Sequence, residues 1–189
     1  MFKDLVRMNR SYRRFDEQKK VAREALITLV DYARLSPSGA NLQALRYFLS
    51  TDEETNSKIF PTLGWAAYLK EWAGPAAGER PAAYIIILQD GRTKRPNSID
   101  HGIAAQTILL GAVEMGLGGC MLGNVQRPVL KEALKLPEEC EILLVIALGW
   151  PKETVVIDEI AVEGDVKYWR DENQVHHVPK YKLADLIVN

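Results

Sequence analysis

The sequence predicts an α+β fold, a small, mainly antiparallel sheet flanked by helices. Three stretches carry that reading. Ala82 to Gln89 is a continuous apolar run rich in β-branched residues, and Glu141 to Gly149 is a second such run. Ser98 to Met115 has the length of a helix and an apolar middle. A chain of 189 residues can bury a sizeable core without staples, and it reads as one domain over 1–189.

Taken in order, Phe2 to Asn9 suits a short helix with Phe2, Leu5 and Val6 on one side. Arg10 to Lys20 is dense in charge and leads over the surface. Val21, Ala25, Leu26, Leu29, Val30 and Ala33 then recur at helical spacing, and Ser36-Pro37-Ser38-Gly39 must stop that helix. Leu45 to Thr51 reads as a strand. Asp52 supplies an N-cap for a helix running to Phe60. Pro61 to Pro81, with its prolines, glycines and Trp65 and Trp72, is irregular or a short helix inside a loop.

The first long apolar strand, Ala82 to Gln89, comes next. In the helix from Ser98 to Met115 the middle, Gly102 to Ala112, is apolar almost all round, which predicts burial on every side. Gly118 to Gly123 and Glu141 to Gly149 are strands on either side of a short helix, Arg127 to Lys135. After Trp150-Pro151 the pattern weakens into an extended tail that ends in Leu183 to Val188. The apolar helix and the tail both need cover, which a second subunit supplies.

A net charge of −1 gives no reason to expect nucleic acid or an anionic membrane as partner. Cys120 and Cys140 sit in apolar surroundings without a C-x-x-C motif, as reduced core thiols do. No apolar run has signal-peptide length at Met1-Phe2-Lys3, and none approaches the ~18 residues of a membrane span. A soluble, cytoplasmic protein is the expectation.

Asn9-Arg10-Ser11-Tyr12-Arg13-Arg14-Phe15 gathers three arginines and a serine past a helix end. It reads either as an anion site, since arginine forks and a hydroxyl suit phosphate, or as a solvated basic turn. Ser36 to Gln43 brings backbone into the open around Gly39 and Ala40. Its Asn41 and Gln43 amides suit a heterocycle with alternating carbonyls and ring nitrogens, or they belong to a loop that caps the preceding helix. Gly116 to Gly123 fails as a dinucleotide fingerprint, because Met121 stands where glycine is required and the run follows a helix. His101, His176 and His177 have no metal-ligand spacing with acidic or cysteine partners, and no G-x-S-x-G elbow is present. Lys180 and Lys182 form a small basic pair near the end.

The order of these motifs resembles the nitroreductase family over nearly the whole length. Asn9 to Phe15 matches R-R-S-x-R-x-F at every specified position but the first. Pro37 to Gln43 matches P-S-x-x-N-x-Q, and Asp100, Gly102, Ala104 and Gln106 match D-x-G-x-A-x-Q. Gly116 to Gly123 matches G-L-G-x-C-x-x-G, Leu148 to Pro151 matches L-G-[YW]-P, and Lys180-x-Lys182-Leu183 stands where the family has K-x-R-L.

The resemblance implies FMN held at the interface of an obligate homodimer, with the tail wrapping the partner subunit. Arg10, Ser11 and Arg13 would contact the phosphate, ribityl chain and pyrimidine edge, and Lys180 and Lys182 would complete the phosphate clamp. Pro37, Ser38 and Asn41 would approach from the partner, with Leu122 and Gly123 along the ring. It implies hydride transfer from NAD(P)H to a nitroaromatic, quinone or similar small acceptor by a ping-pong mechanism, with no catalytic side chain and no metal. Arg13 is the candidate cation for stabilising reduced flavin. Asn9 and Lys182 each replace an arginine, which weakens or redistributes the clamp. Trp65, Tyr68 and Trp72 either line the flavin face or pack against the sheet. Two other readings stand beside this one: a flavin-dependent dehydrogenase or dehalogenase of a specific metabolite, and a low-turnover protein that binds or senses FMN.

Overall fold

A computed structural model of the chain describes residues 1–93 and 99–188. Its central sheet is built from β1 (Leu45–Ser50), β2 (Ala83–Asp90), β3 (Gly118–Leu122) and β4 (Cys140–Gly149), ordered β1-β2-β4-β3 with every pairing antiparallel. β2 and β4 lie inside and carry the two longest apolar runs of the sequence. β2 is buried along its whole length, so its side chains need not alternate in polarity.

The two faces of the sheet meet different helices. Ile85, Ile87, Ile146 and Leu148 face α2 (Arg23–Leu35) and α4 (Asp100–Glu114), packing with Leu26, Leu29, Ile108 and Leu109. On the opposite face Tyr84, Ile86, Leu88 and Val145 pack with Ile59 of α3 (Glu53–Ile59) and Leu130 of α5 (Arg127–Ala133). The strand period of two divides the residues between these cores. Each fully buried Ile or Leu contributes roughly 1.5–3 kcal/mol, and truncating one to Ala costs about 2–5 kcal/mol.

Local signals set the helix ends. Asp52 caps α3 by accepting from the Thr55 N–H at 2.8 Å, and α2 stops at Ser36, immediately before Pro37. The first helix, α1 (Phe2–Met8), has no buried residue and rests against α4. The segment between Thr62 and Ala83 contains no regular element, as its prolines and glycines predict.

Two expectations change. The α4 helix is not buried on every side: Gly102 and Gln106 are exposed, and Ile103, Leu110 and Val113 are only half-buried within the chain. Ser98, given above as its first residue, lies outside the described residues. The stretch after Pro151 is also not a plain extended tail. It forms a second sheet in which β5 (Val155–Ile160) pairs in parallel with β7 (His176–Tyr181), and β6 (Trp169–Arg170) pairs antiparallel to β7. β6 is two residues long and β5 is half exposed and acidic, so neither gives a readable apolar period. Side chains fasten this sheet: the His177 ring stacks on Trp169 at 4.1 Å, and its Nδ1 lies 2.9 Å from Asp158 Oδ2. An exposed 3-10 turn, Leu183–Leu186, follows.

Among the described residues no helix is long and apolar enough to cross a membrane.

Candidate functional site

The segment from Asn9 to Phe15 is stitched across the edge of the central sheet. Ser11 bridges Gly119 in parallel, and the Tyr12 N–H donates to the Gly119 carbonyl at 3.0 Å. Phe15, fully buried, bridges Pro151, while the Lys152 N–H donates back to the Arg14 carbonyl. Gly118 makes this approach feasible, because a Cβ there would stand 2.5 Å from the Tyr12 ring. Arg14 faces away and forms a two-pronged bond to Glu79, both contacts at 2.7 Å. Three arginines close in sequence thus have distinct duties.

Arg10, Ser11 and Arg13 line a cavity of about 330 Å3, and the opposite wall comes from the second sheet. On β7 the alternation of the strand sends His176, Val178 and Lys180 to that wall, with Tyr168 beside them. Among the described residues, the lining holds three cations and no carboxylate. Arg13 is nearly buried, with its guanidinium 4.8 Å from the Tyr168 ring centroid. One of its nitrogens, Nη1, donates to the Ser11 carbonyl at 3.1 Å and lies 3.1 Å from His176 Nε2. Behind the wall Glu153 accepts from the Arg13 and Arg14 N–H groups and from Arg170 Nη2 at 2.9 Å.

Three donors of this wall are orphaned. Among the described residues, Arg10 Nε, Arg13 Nε and His176 Nδ1 are buried without a hydrogen-bond partner. With His176 Nε2 accepting from Arg13, the ring proton resides on Nδ1, so all three are donors. Leaving each one bare costs roughly 1–3 kcal/mol, so this wall carries unmet donors of the kind an acceptor-rich anion would suit. The phosphate and carbonyls of a flavin mononucleotide fit that donor set.

Pro37, Ser38 and Asn41 line a different cavity, of about 210 Å3, which shares no lining residue with the first. Its loop is held from below: Ser38 Oγ donates to Asp100 Oδ2 at 2.7 Å, the Gly39 N–H donates to the same carboxylate, and Ser38 Oγ accepts from the Gln43 N–H. Ala40, Asn41 and Gln43 all have left-handed backbone, at φ 48°, 52° and 50°. Such strain concentrates at ligand-binding loops. The left-handed positions of this loop are thus taken by residues with side chains, not by Gly39.

The remaining sequence-derived residues lie apart from both cavities. Leu122 is buried in the core, whereas a Cβ on Gly123 would meet nothing within 4 Å. Lys182 does not join Lys180 at the cavity, and its Nζ stands 3.8 Å from Glu159 Oε1. The aromatic trio divides: Trp65 packs on the core, Trp72 lies under the Arg170 guanidinium at 4.2 Å, and half-exposed Tyr68 meets the Tyr168 ring at a tilt, with centroids 4.9 Å apart. Burial pushes the Cys120 thiol pKa up, as a core cysteine requires.

Sequence reasoning missed His176, Tyr168, Glu153 and the anchoring role of Asp100. The alternation His176, Val178, Lys180 carried the first of these, but a two-residue partner strand hides the sheet that gives it meaning.

Residues 6–150 match the family described as the Nitroreductase family. An NADPH-flavin oxidoreductase from Vibrio harveyi is 26% identical over 170 residues, which is 79% of this chain and 65% of that protein. The chain thus spans somewhat less than two thirds of this relative's length. A nitroreductase family protein from Clostridium novyi NT superposes with a TM-score of 0.67 at 24% identity, covering 80% of this chain and 86% of the other. An FMN-dependent nitroreductase from Clostridium difficile R20291 gives 0.64 at 23%, covering 79% and 87%.

Proposed function

Because this chain belongs to the nitroreductase family, we propose that it is an FMN-dependent oxidoreductase carrying hydride from NADH or NADPH to a nitroaromatic, quinone or similar small acceptor. Donor and acceptor take turns at one site, in a ping-pong cycle. The observation that carries this reading is the cavity between Arg10–Arg13 and β7, with three cations, three orphaned buried donors and no carboxylate. Bound FMN supplies the two-electron chemistry, and the chain supplies binding, orientation and charge.

In this reading Arg10, Ser11 and Lys180 hold the phosphate and ribityl chain. Arg13 stands at the pyrimidine edge, where its charge stabilises the negative charge that develops on reduction and so raises the potential. Gly123 and the Leu122 backbone border the ring. Pro37, Ser38 and Asn41 come from a second subunit, which explains why their cavity lies apart from the first within one chain. The half-buried Ile103, Leu110 and Val113 of α4 and the exposed Leu183, Leu186 and Ile187 supply apolar surface for that homodimer, with the last segment reaching over the partner. Sedimentation at micromolar concentration should give a dimer, and a stable FMN-loaded monomer would contradict the arrangement.

The direct test is the visible absorption spectrum of the purified protein, followed by anaerobic addition of NADH and of NADPH. A flavin band that bleaches with either nucleotide supports the reading. Protein that carries no flavin and takes none up overturns it.

A further inference from the structure

We propose that His176 is a positioning residue for the flavin site, its Nε2 accepting from Arg13 Nη1 and so fixing the guanidinium along the cavity wall. This inference rests on the flavin reading above and extends it to a residue that no motif marks.

The argument starts from how Arg13 is held. Its guanidinium is nearly buried, yet among the described residues no carboxylate pairs with it. Glu153, which accepts from the Arg13 backbone N–H, also serves the Arg14 N–H and Arg170. Only uncharged groups hold the guanidinium: the Ser11 carbonyl, the His176 ring and the Tyr168 face. A carboxylate in the place of His176 would grip Arg13 more firmly but would cancel its charge. An imidazole acceptor orients the cation and leaves its charge uncancelled for a ligand. His176 is itself fully buried, with its ring 5.3 Å from Tyr168, so its acceptor nitrogen cannot swing away. Arg13 Nε then remains as a fixed donor without a partner among the described residues.

The test measures FMN affinity by fluorescence titration of stripped protein and the midpoint potential of the bound flavin. The variants are His176→Ala, His176→Gln, Arg13→Ala and the double variant R13A/H176A. Losing one hydrogen bond to a charged group should weaken FMN binding about tenfold in His176→Ala and lower the potential. His176→Gln restores an acceptor and should stay within about threefold of wild type. Because His176 works through Arg13, adding His176→Ala to Arg13→Ala should change neither quantity further. A full additive loss in the double variant, or wild-type affinity and potential in His176→Ala, overturns the proposal. Should His176→Ala fail to fold, His176→Leu, which fills the ring's space without an acceptor, takes its place with the same expectation. Wild-type protein that binds no FMN sinks the flavin reading and this inference together. Wild-type binding that the His176 variants leave untouched sinks the inference alone.

Discussion

Ser38 Oγ donates a 2.7 Å hydrogen bond to Asp100 Oδ2, tying the loop after α2 to the first turn of α4. The same hydroxyl accepts from the Gln43 N–H, so one side chain closes the loop on itself and fastens it to the core. Three left-handed residues lie inside that closure. Removing the carboxylate leaves the strain without its restraint.

Asp100→Ala should therefore cost about 2–3 kcal/mol in urea denaturation, the worth of a lost charged acceptor serving Ser38 and Gly39. Ser38→Ala should cost less, about 1–2 kcal/mol, because Gly39 keeps its partner. Equal stability of Asp100→Ala and wild type would show that the loop holds its shape unaided.

The cavity lining separates the two C-terminal lysines. Lys180→Ala and Arg10→Ala should each weaken FMN about tenfold while leaving riboflavin, which lacks the phosphate, nearly unaffected. Lys182→Ala should stay within about twofold, since its Nζ stands by Glu159 and it does not line the cavity. Paired titrations with FMN and riboflavin decide the matter, and a Lys182 effect as large as that of Lys180 would place both lysines on the phosphate.

Glu153 and Arg170 form a nearly inaccessible ion pair, with side chains 1% and 8% exposed. Burial disfavours the charge on Arg170, and Glu153 is the partner that offsets it. Glu153→Ala should destabilise the protein by about 3–5 kcal/mol, because it strands a buried cation and frees the N–H groups of Arg13 and Arg14. Chemical denaturation measures this, and a loss under about 1 kcal/mol would mean that water reaches Arg170.

Burial, then the charges of Arg13, Arg170 and His177, hold the pKa of His176 at about 4, below the ordinary 6.5. Between those values the unfolded chain binds a proton that the folded protein refuses. Stability is therefore complete above about pH 6.5 and falls as the pH drops towards 4, by on the order of 3 kcal/mol. In thermal melts, wild type should lose about 5–10 °C more than His176→Gln between pH 7 and pH 4.5. Identical losses in the two proteins would remove His176 as the titrating group.

The central sheet was legible because its strands are self-announcing. Ala83–Asp90 and Cys140–Gly149 are long, apolar and buried, and Asp52 and Pro37 bound their helices as local chemistry dictates. The basic wall was legible too, since Arg10, Ser11 and Arg13 are near neighbours in sequence. The opposite wall was not. His176 and Tyr168 gain their roles from the pairing of a two-residue strand with β7 and from contacts across 163 positions. Neither leaves a period in the sequence. Lys182 belongs to the Lys180 motif on paper, but within one chain the strand ends at Tyr181 and the next residue begins a turn that leaves the cavity wall.

The cavity draws one wall from residues 9–13 and the other from residues 168–180, with the whole central sheet translated between them. During synthesis the hydrophobic core can be finished while Arg10 and Arg13 still face solvent with nothing opposite. Only when β7 is present does the cavity have both walls, so a chain cut short before His176 would keep the strands of its central sheet and lack the second wall.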